Sequence, residues 1–67
     1  MTQHEKIANY IKRFGSITPM DAFADLGITK LATRISEMRR MGIEIRDEWT
    51  RTKNRFGERV EYKRYYF

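Results

Sequence analysis

The chain has no cysteine and only one histidine and one proline among its 67 residues. Without cysteine there can be neither a disulfide nor a thiolate metal site, and His4 alone cannot supply a zinc cluster. The single proline, Pro19, leaves no proline-rich linker, and a chain of this length has room for one small core. We therefore expect a single domain over residues 1–67, with no cofactor and no bound metal.

Long apolar runs are also missing. No segment approaches the ~18 apolar residues that a membrane span needs. The N-terminal stretch "MTQHEKIANYIKRFG" lacks the apolar core of a signal peptide. These features lead us to expect no membrane partner and a cytoplasmic location.

What the chain does have is positive charge. Its 14 Lys and Arg residues outnumber 9 Asp and Glu, for a formal charge of +5 and a pI near 9.9. This balance favours an acidic partner such as nucleic acid, although many small soluble domains are basic without binding it. The positions of the cations are therefore stronger evidence for or against nucleic-acid binding than their number.

Two helices are marked by their caps. Thr2 and Glu5 have the spacing of a capping box, and Gly15 suits the end of a first helix whose apolar stripe is Ile7, Ile11 and Phe14. Thr18, Pro19 and Asp21 mark the start of a second helix, barely two turns long, that stops at Gly27. Three of its residues can face inward: Met20, Phe23 and Ala24.

A third helix is predicted to start at a Thr29 cap and to close at Gly42. Its buried stripe is Leu31, Ile35 and Met38. Two helices separated by a three-residue turn containing glycine have the spacing of a helix-turn-helix. The alternative is an ordinary helical hairpin in a small bundle.

After Gly42 the apolar pattern alternates. "IEIRDEWTRTK" and "ERVEYKRYYF" flank "NRFG", in which Asn54 and Gly57 suit the first and last positions of a type I turn. Pairing Lys53 with Glu58 places Asp47 opposite Arg64, Glu48 opposite Lys63, Trp49 opposite Tyr62 and Ile45 opposite Tyr66. One face would then cover the helices with Ile43, Ile45, Trp49, Val60, Tyr62 and Tyr66. Tyr65 and Phe67 would lie on the other face unless a bulge turned them inward.

Three short helices followed by a two-stranded antiparallel hairpin make an α+β fold, the winged helix-turn-helix. The hairpin is long for so small a body, so we expect its tip to project.

The third helix carries polar and cationic residues opposite its apolar stripe. At 100° per residue this direction holds Thr29, Thr33 and Arg40, flanked by Lys30, Ser36 and Glu37, with Arg34 and Arg39 nearer the core. Arginine and lysine can bind guanine in a major groove, and threonine can contact thymine. Glu37 would accept from a cytosine amino group or pair with Arg34 or Arg40 at the edge. Alternatively, the cations simply solvate the helix, and Arg39 and Arg40 complement its C-terminal dipole.

The hairpin tip is the second cationic feature. "RTKNRFGER" contains Arg51, Lys53, Arg55 and Arg59 against one acid, Glu58. Phe56 lies among them and either packs back on Trp49 or the strand stems, or contacts a sugar or base step while the cations bind phosphates. We select as candidate DNA-binding residues the following twelve: Thr29, Lys30, Thr33, Arg34, Ser36, Glu37, Arg40, Arg51, Lys53, Asn54, Arg55 and Arg59.

The stretches "GSITPMDAFADLGITKLATRISEMRRMG" and "KNRFGERVEY" make the chain resemble small helix-turn-helix proteins of bacteriophages and prophages that end in a hairpin. The resemblance covers nearly the whole chain. It implies a DNA-binding module in the cytoplasm of a bacterial host, with the third helix as reader and Lys53, Asn54 and Arg55 in the wing. The chain is then expected to act as a small transcriptional regulator or as a recombination or replication accessory.

The leading hypothesis is a double-stranded DNA binder, with a homodimer or a larger protein complex as a further expected partner. The alternative is a protein-interaction module, such as a phage-encoded inhibitor, because "RYYF" could expose Tyr65 and Phe67 on an edge strand. An enzyme is not expected, since no acid–base pair, nucleophile or glycine-rich phosphate loop is recognisable. No small-molecule substrate is expected either.

Overall fold

Three helices and one hairpin account for the computed structural model, which describes all of residues 1–67. The helices are α1 (Gln3–Phe14), α2 (Pro19–Leu26) and α3 (Leu31–Arg40), and the strands are β1 (Arg46–Lys53) and β2 (Arg59–Tyr66). The predicted fold class is confirmed: three short helices precede an antiparallel hairpin. The molecule measures 38 × 21 × 21 Å, and residues 51–59 are all exposed, so the hairpin tip projects as expected.

The first two helices begin at the predicted capping boxes. Thr2 Oγ1 accepts from the Glu5 backbone N–H at 3.1 Å, and Glu5 Oε1 accepts from the Thr2 N–H at 3.2 Å. Thr18 and Asp21 exchange the same two bonds, each at 3.1 Å. Both pairs satisfy N–H groups that a helix start would otherwise leave without partners.

The start of α3 differs from the prediction. Thr29 does not cap it; the flanking residue is Lys30, whose side chain makes no capping hydrogen bond. The end is as predicted, because Gly42 adopts φ +93° and allows the Ile43 N–H to bond the Met38 carbonyl at 3.1 Å. This bond and the one from the Gly42 N–H to the Arg39 carbonyl form a Schellman motif.

The core lies where the three helices meet the base of the hairpin. It consists of ten buried side chains: Ile7, Ile11, Ile17, Ala22, Ile28, Leu31, Ile35, Met38, Ile45 and Tyr65. The predicted stripes of the first and third helices are confirmed except for Phe14, which is 61% exposed.

The predicted inner face of α2 is wrong. Met20 and Phe23 are 72% and 61% exposed and Ala24 is exposed, whereas Ala22 is fully buried. Ile17 and Ile28, which flank α2 on either side, supply the apolar bulk that Met20 and Phe23 were expected to supply. In a helix of two turns the apolar positions do not define a single face, so this choice was open.

The hairpin register is shifted by one residue from the predicted one. Lys53 pairs with Arg59 rather than Glu58, and Glu48, Trp49 and Asp47 pair with Arg64, Lys63 and Tyr65. The predicted turn forms, since the Gly57 N–H bonds the Asn54 carbonyl at 3.0 Å. However, Gly57 at φ +76° adds a bulge residue, and the closing pair becomes Asn54 with Glu58 through a 2.9 Å backbone bond.

A one-residue shift moves side chains to the opposite face of the sheet. Tyr65 is therefore a core residue, 5% exposed. Trp49 lies on the same face as Tyr65 but farther toward the tip, and it is 62% exposed instead of covering the helices. Ile45 is buried as predicted, while Val60, Tyr62 and Tyr66 are half-buried.

A single bridging residue between α1 and α2 attaches the hairpin to the helices. Ile17 forms an isolated antiparallel bridge with Tyr65, with backbone bonds of 2.9 and 2.8 Å in the two directions. The order of backbone segments in the sheet is thus Ile17, β2, β1. Because both residues are also in the core, the base of the hairpin is fixed to the corner between α1 and α2.

Candidate nucleic-acid interface

The side of α3 that faces away from the core is exposed and free of internal bonds. We call it the outer face of α3 and define it as Lys30, Ala32, Thr33, Ser36 and Arg40, all of which are exposed. None of these side chains makes an ion pair within 4.0 Å. Thr29, just before the helix, is exposed as well. Five of the seven residues predicted for this helix therefore lie on or beside an exposed surface.

The other two, Arg34 and Glu37, are placed differently. Both are half-buried and turn toward the start of α1. Glu37 Oε1 lies 2.8 Å from His4 Nε2 and 3.2 Å from Arg34 Nη1. The hydrogen bond from His4, together with the positive charges of Arg34 and Arg40, holds the pKa of Glu37 below its usual range. The predicted pairing of Glu37 with Arg34 is present, and the cluster joins α1 to α3.

Arg39 occupies the opposite edge of α3 and has an internal role. Its guanidinium donates to the Ile45 carbonyl at 2.8 Å from Nη2 and 3.2 Å from Nε, and Nη2 also donates to Asp47 Oδ2 at 2.8 Å. These contacts hold the pKa of Asp47 below its usual value. The alternative in which Arg39 simply solvates the helix does not describe these contacts, because Arg39 ties the end of α3 to the start of β1.

Four cations of the hairpin tip are exposed, and three of them have no acidic partner. Arg51 Nε lies 3.3 Å from Glu61 Oε1, whereas Lys53, Arg55 and Arg59 make no ion pair within 4.0 Å. Lys53 and Arg59 are direct cross-strand partners. Like charges placed opposite each other destabilise a hairpin, so this arrangement is not explained by folding.

The turn itself is organised by Asn54. Its side-chain oxygen accepts from the Phe56 N–H at 2.9 Å and from the Glu58 N–H at 3.1 Å. The carboxamide of this predicted site residue is thus engaged within the turn, where it fixes the backbone that carries Arg55 and Phe56. Phe56 is 80% exposed, so the interpretation that it packs back on Trp49 or the strand stems is wrong.

The strand register assigns the tip cations to one face of the hairpin. Arg51, Lys53 and Arg59 alternate with their neighbours on the same face as Asp47, the residue that contacts Arg39 of α3. Trp49 and Lys63 lie on this face too, with Lys63 Nζ 5.3 Å from the centre of the Trp49 ring. The face of the hairpin that meets α3 at its base is therefore also the one that carries cations toward the tip.

Several residues of these surfaces were not predicted from the sequence. Ala32 lies in the middle of the outer face of α3, where a small side chain permits close approach, and helical spacing from Lys30 and Ser36 could have identified it. Trp49 was missed because it was expected to cover the helices, and Lys63 was missed because the predicted register placed it on the opposite face of the hairpin. The suggested partner-docking pair is not formed as expected, since Tyr65 is buried and only Phe67, 43% exposed, remains accessible.

Other classes of site are not evident. No three His, Asp or Glu side chains come together in an arrangement that could hold a metal ion. The largest groove lies between the start of α2 and the hairpin, has a volume of about 780 Å³, and is bordered by Thr18, Met20, Lys53 and Tyr62. None of the three helices has the length and apolar character that crossing a bilayer requires.

Comparison with known families agrees with this architecture. Residues 2–67 match the model of a family described as a winged helix-turn-helix domain. No curated protein and no solved structure matches the chain at a significant level. The matched range covers all three helices and the whole hairpin, and domains of this type are typically non-enzymatic and bind DNA. The chain belongs to the winged helix-turn-helix domain family.

Proposed function

We propose that this chain binds double-stranded DNA, with α3 in the major groove and the hairpin on the backbone and minor groove. The observation that carries the proposal is the pair of cationic surfaces without internal partners. Lys30 and Arg40 are free on the outer face of α3, and Lys53, Arg55 and Arg59 are free at the hairpin tip. Together they supply five cations to a polyanion.

The outer face of α3 has the chemistry of a base reader. Arg40 can donate two parallel hydrogen bonds to guanine O6 and N7, and Lys30 can reach the same acceptors. Thr33 and Ala32 offer methyl groups to thymine, and Ser36 offers a hydroxyl. Arg34 and Glu37 then serve the reader indirectly, because their cluster with His4 fixes α3 against α1.

The hairpin tip has the chemistry of a backbone clamp. Lys53 and Arg59 repel each other when the protein is free, and phosphates between or beside them would relieve that repulsion. Contacts to phosphate carry no sequence information, so the tip would contribute affinity and orientation while α3 contributes preference.

The proposed biological setting is a phage or another mobile element, where the chain would act as a small transcriptional regulator or as a recombination or replication accessory in the host cytoplasm. This part rests on the resemblance in sequence alone. A single module buries only ~600–1,000 Å² of protein surface on DNA, so useful specificity calls for a homodimer or a larger complex. Selection of bound duplexes from a random pool tests this, since a palindromic winner indicates a dimer.

Fluorescence anisotropy with a labelled duplex tests the binding itself. The three tip cations on phosphates should give a plot of log K against log salt with a slope near −2.7, and further phosphate contacts by Lys30 and Arg40 would bring the slope to about −4.5. Binding that is absent at low salt, or that does not respond to salt, would remove the proposal.

Two classes of variant separate the two surfaces. Arg40→Ala or Lys30→Ala should cost about 1–3 kcal/mol on the selected duplex and relax the preference there. Lys53→Ala or Arg55→Ala should weaken all duplexes about equally and make the salt slope shallower by roughly one. Lys6→Ala, which removes an exposed cation of α1, is the matched control and should leave both quantities unchanged.

A further inference from the structure

An exposed phenylalanine at the hairpin tip has no role in the fold. Phe56 is 80% exposed, the largest exposed fraction among the bulky apolar residues of the chain. Its ring does not stack on any other ring, since the one close aromatic pair is Tyr10 with Phe14. An apolar ring left in water contributes nothing to stability, so its position calls for another explanation.

The backbone beneath Phe56 is held rigidly. The Phe56 N–H donates to Asn54 Oδ1, and two backbone bonds between Asn54 and its neighbours Gly57 and Glu58 close the loop. Gly57 adopts φ +76°, a conformation that residues with side chains rarely adopt. The ring therefore projects from a preformed turn instead of from a loop that must be ordered on binding.

The surroundings of Phe56 specify the kind of partner. Arg55 precedes it, and Lys53 and Arg59 close the strands behind it, all without acidic partners within 4.0 Å. An apolar partner surface alone would not match these cations, whereas DNA offers apolar stacked bases between two rows of phosphates. Eight-residue strands, at about 3.3 Å per residue, carry the tip roughly 26 Å from the base of the hairpin.

We infer that Phe56 is a wedge that enters a base step of duplex DNA from the minor groove, partly unstacks it and bends the duplex. The inference rests on the proposed DNA binding and adds a mechanical effect to it. Apolar side chains that insert between base steps kink DNA by 20–90°, and the bent duplex then contacts more protein surface. Lys53, Arg55 and Arg59 would hold the phosphates on either side of the opened step.

Duplex bending and base stacking test the wedge directly. A duplex of the selected sequence is labelled at its two ends for energy transfer, and a second carries 2-aminopurine at successive steps across the region that the tip reaches. Wild-type protein should shorten the end-to-end distance and raise 2-aminopurine fluorescence at one step. Phe56→Ala should abolish both changes and weaken binding by about tenfold, with the salt slope unchanged.

Two further variants serve as controls. Phe56→Leu keeps an apolar wedge and should retain most of the bend, whereas Lys6→Ala, which removes an exposed cation of α1, should leave both the bend and the salt slope unchanged. Wild-type protein that binds with a steep salt slope but leaves the duplex straight and stacked would overturn the wedge and leave the proposed function standing. Bending by Phe56→Ala equal to that by wild type, or tighter binding to single strands than to the duplex, would also overturn it. Absence of any salt-dependent binding by wild type would instead remove the proposed function itself.

Discussion

Lys53 and Arg59 lie directly opposite each other at the end of β1 and the start of β2, and neither has an acidic partner within 4.0 Å. Two cations in this relation repel each other in the free protein, and a bound polyanion reverses the effect. The pair is therefore expected to lower the stability of the free hairpin and to raise the proposed affinity for DNA.

Lys53→Glu should separate these two quantities. Glutamate opposite Arg59 replaces a repulsion by an attraction, so we expect the free energy of unfolding to rise by about 0.5 kcal/mol, measured by urea denaturation. Duplex binding should weaken on every sequence. The gain in stability should disappear when Arg59 is already alanine; an equal gain in that background would show that the pair is not its source.

Arg39 and Arg40 are neighbours in sequence, but their replacement by alanine should change the free energy of unfolding by different amounts. Arg39→Ala removes the donors to the Ile45 carbonyl and should lower the free energy of unfolding by about 1–2 kcal/mol. Arg40→Ala removes no internal contact and should change it by less than about 0.5 kcal/mol. Chemical denaturation compares the two, and a larger loss in Arg40→Ala would contradict the assignment of Arg39 as the structural residue.

The stability of the domain should fall in acid, in part because of Glu37. Since its pKa is lowered in the folded state, the stabilisation by its ionised form is present above the ordinary glutamate value and is lost as the pH falls through the lowered value. Glu37→Gln should therefore lose less stability than wild type between about pH 5 and pH 2. Asp47 acts in the same direction, so part of the acid sensitivity persists in this variant.

The control for this experiment is Glu44→Gln. Glu44 is exposed and has no ion-pair partner within 4.0 Å, so its replacement should leave the shape of the stability curve unchanged. Identical pH profiles for wild type and Glu37→Gln would show that the ionised form of Glu37 does not stabilise the fold.

Tyr10 should titrate at unusually high pH. Its hydroxyl donates to Asp25 Oδ2 at 2.5 Å, and this bond, with desolvation and nearby negative charge, raises the pKa of Tyr10 from 10.0 to about 12. The unfolded chain loses this proton first, so the stabilisation is present below about pH 10 and is lost as the pH rises toward 12. NMR titration of the ring should show the Tyr10 pKa moving toward 10 in Asp25→Asn.

The helices were largely predictable from sequence because their signals are local. A capping box depends on residues three apart, and the Thr2–Glu5 and Thr18–Asp21 boxes both formed. The stripe of α3 was correct for the same reason. The inner residues Ile17 and Ile28 were not identified, since they lie between helices, where no periodic pattern marks a buried residue.

The register of the hairpin could not be fixed from charge pairing. Adjacent acids on one strand, Asp47 and Glu48, face adjacent bases on the other, Lys63 and Arg64. Either register therefore brings opposite charges together: Glu48 was expected to meet Lys63 and instead pairs with Arg64. The deciding factor is the bulge at Gly57, a backbone conformation that residue spacing alone does not reveal. In the candidate site, the exposed cations were predicted from the sequence. The internal roles of Arg39 and His4 were not, because their partners lie in other elements of the fold.

The bridge between Ile17 and Tyr65 has a consequence for how the hairpin meets a partner. Since Tyr65 belongs to β2 and to the core at once, the hairpin cannot swing at its root without opening the interior of the domain. Its direction is therefore set before any encounter, and little free energy of association is spent on orienting it. A hairpin fixed at its base transmits force from its tip to the body of the domain, and the proposed bending of a stiff duplex would require this.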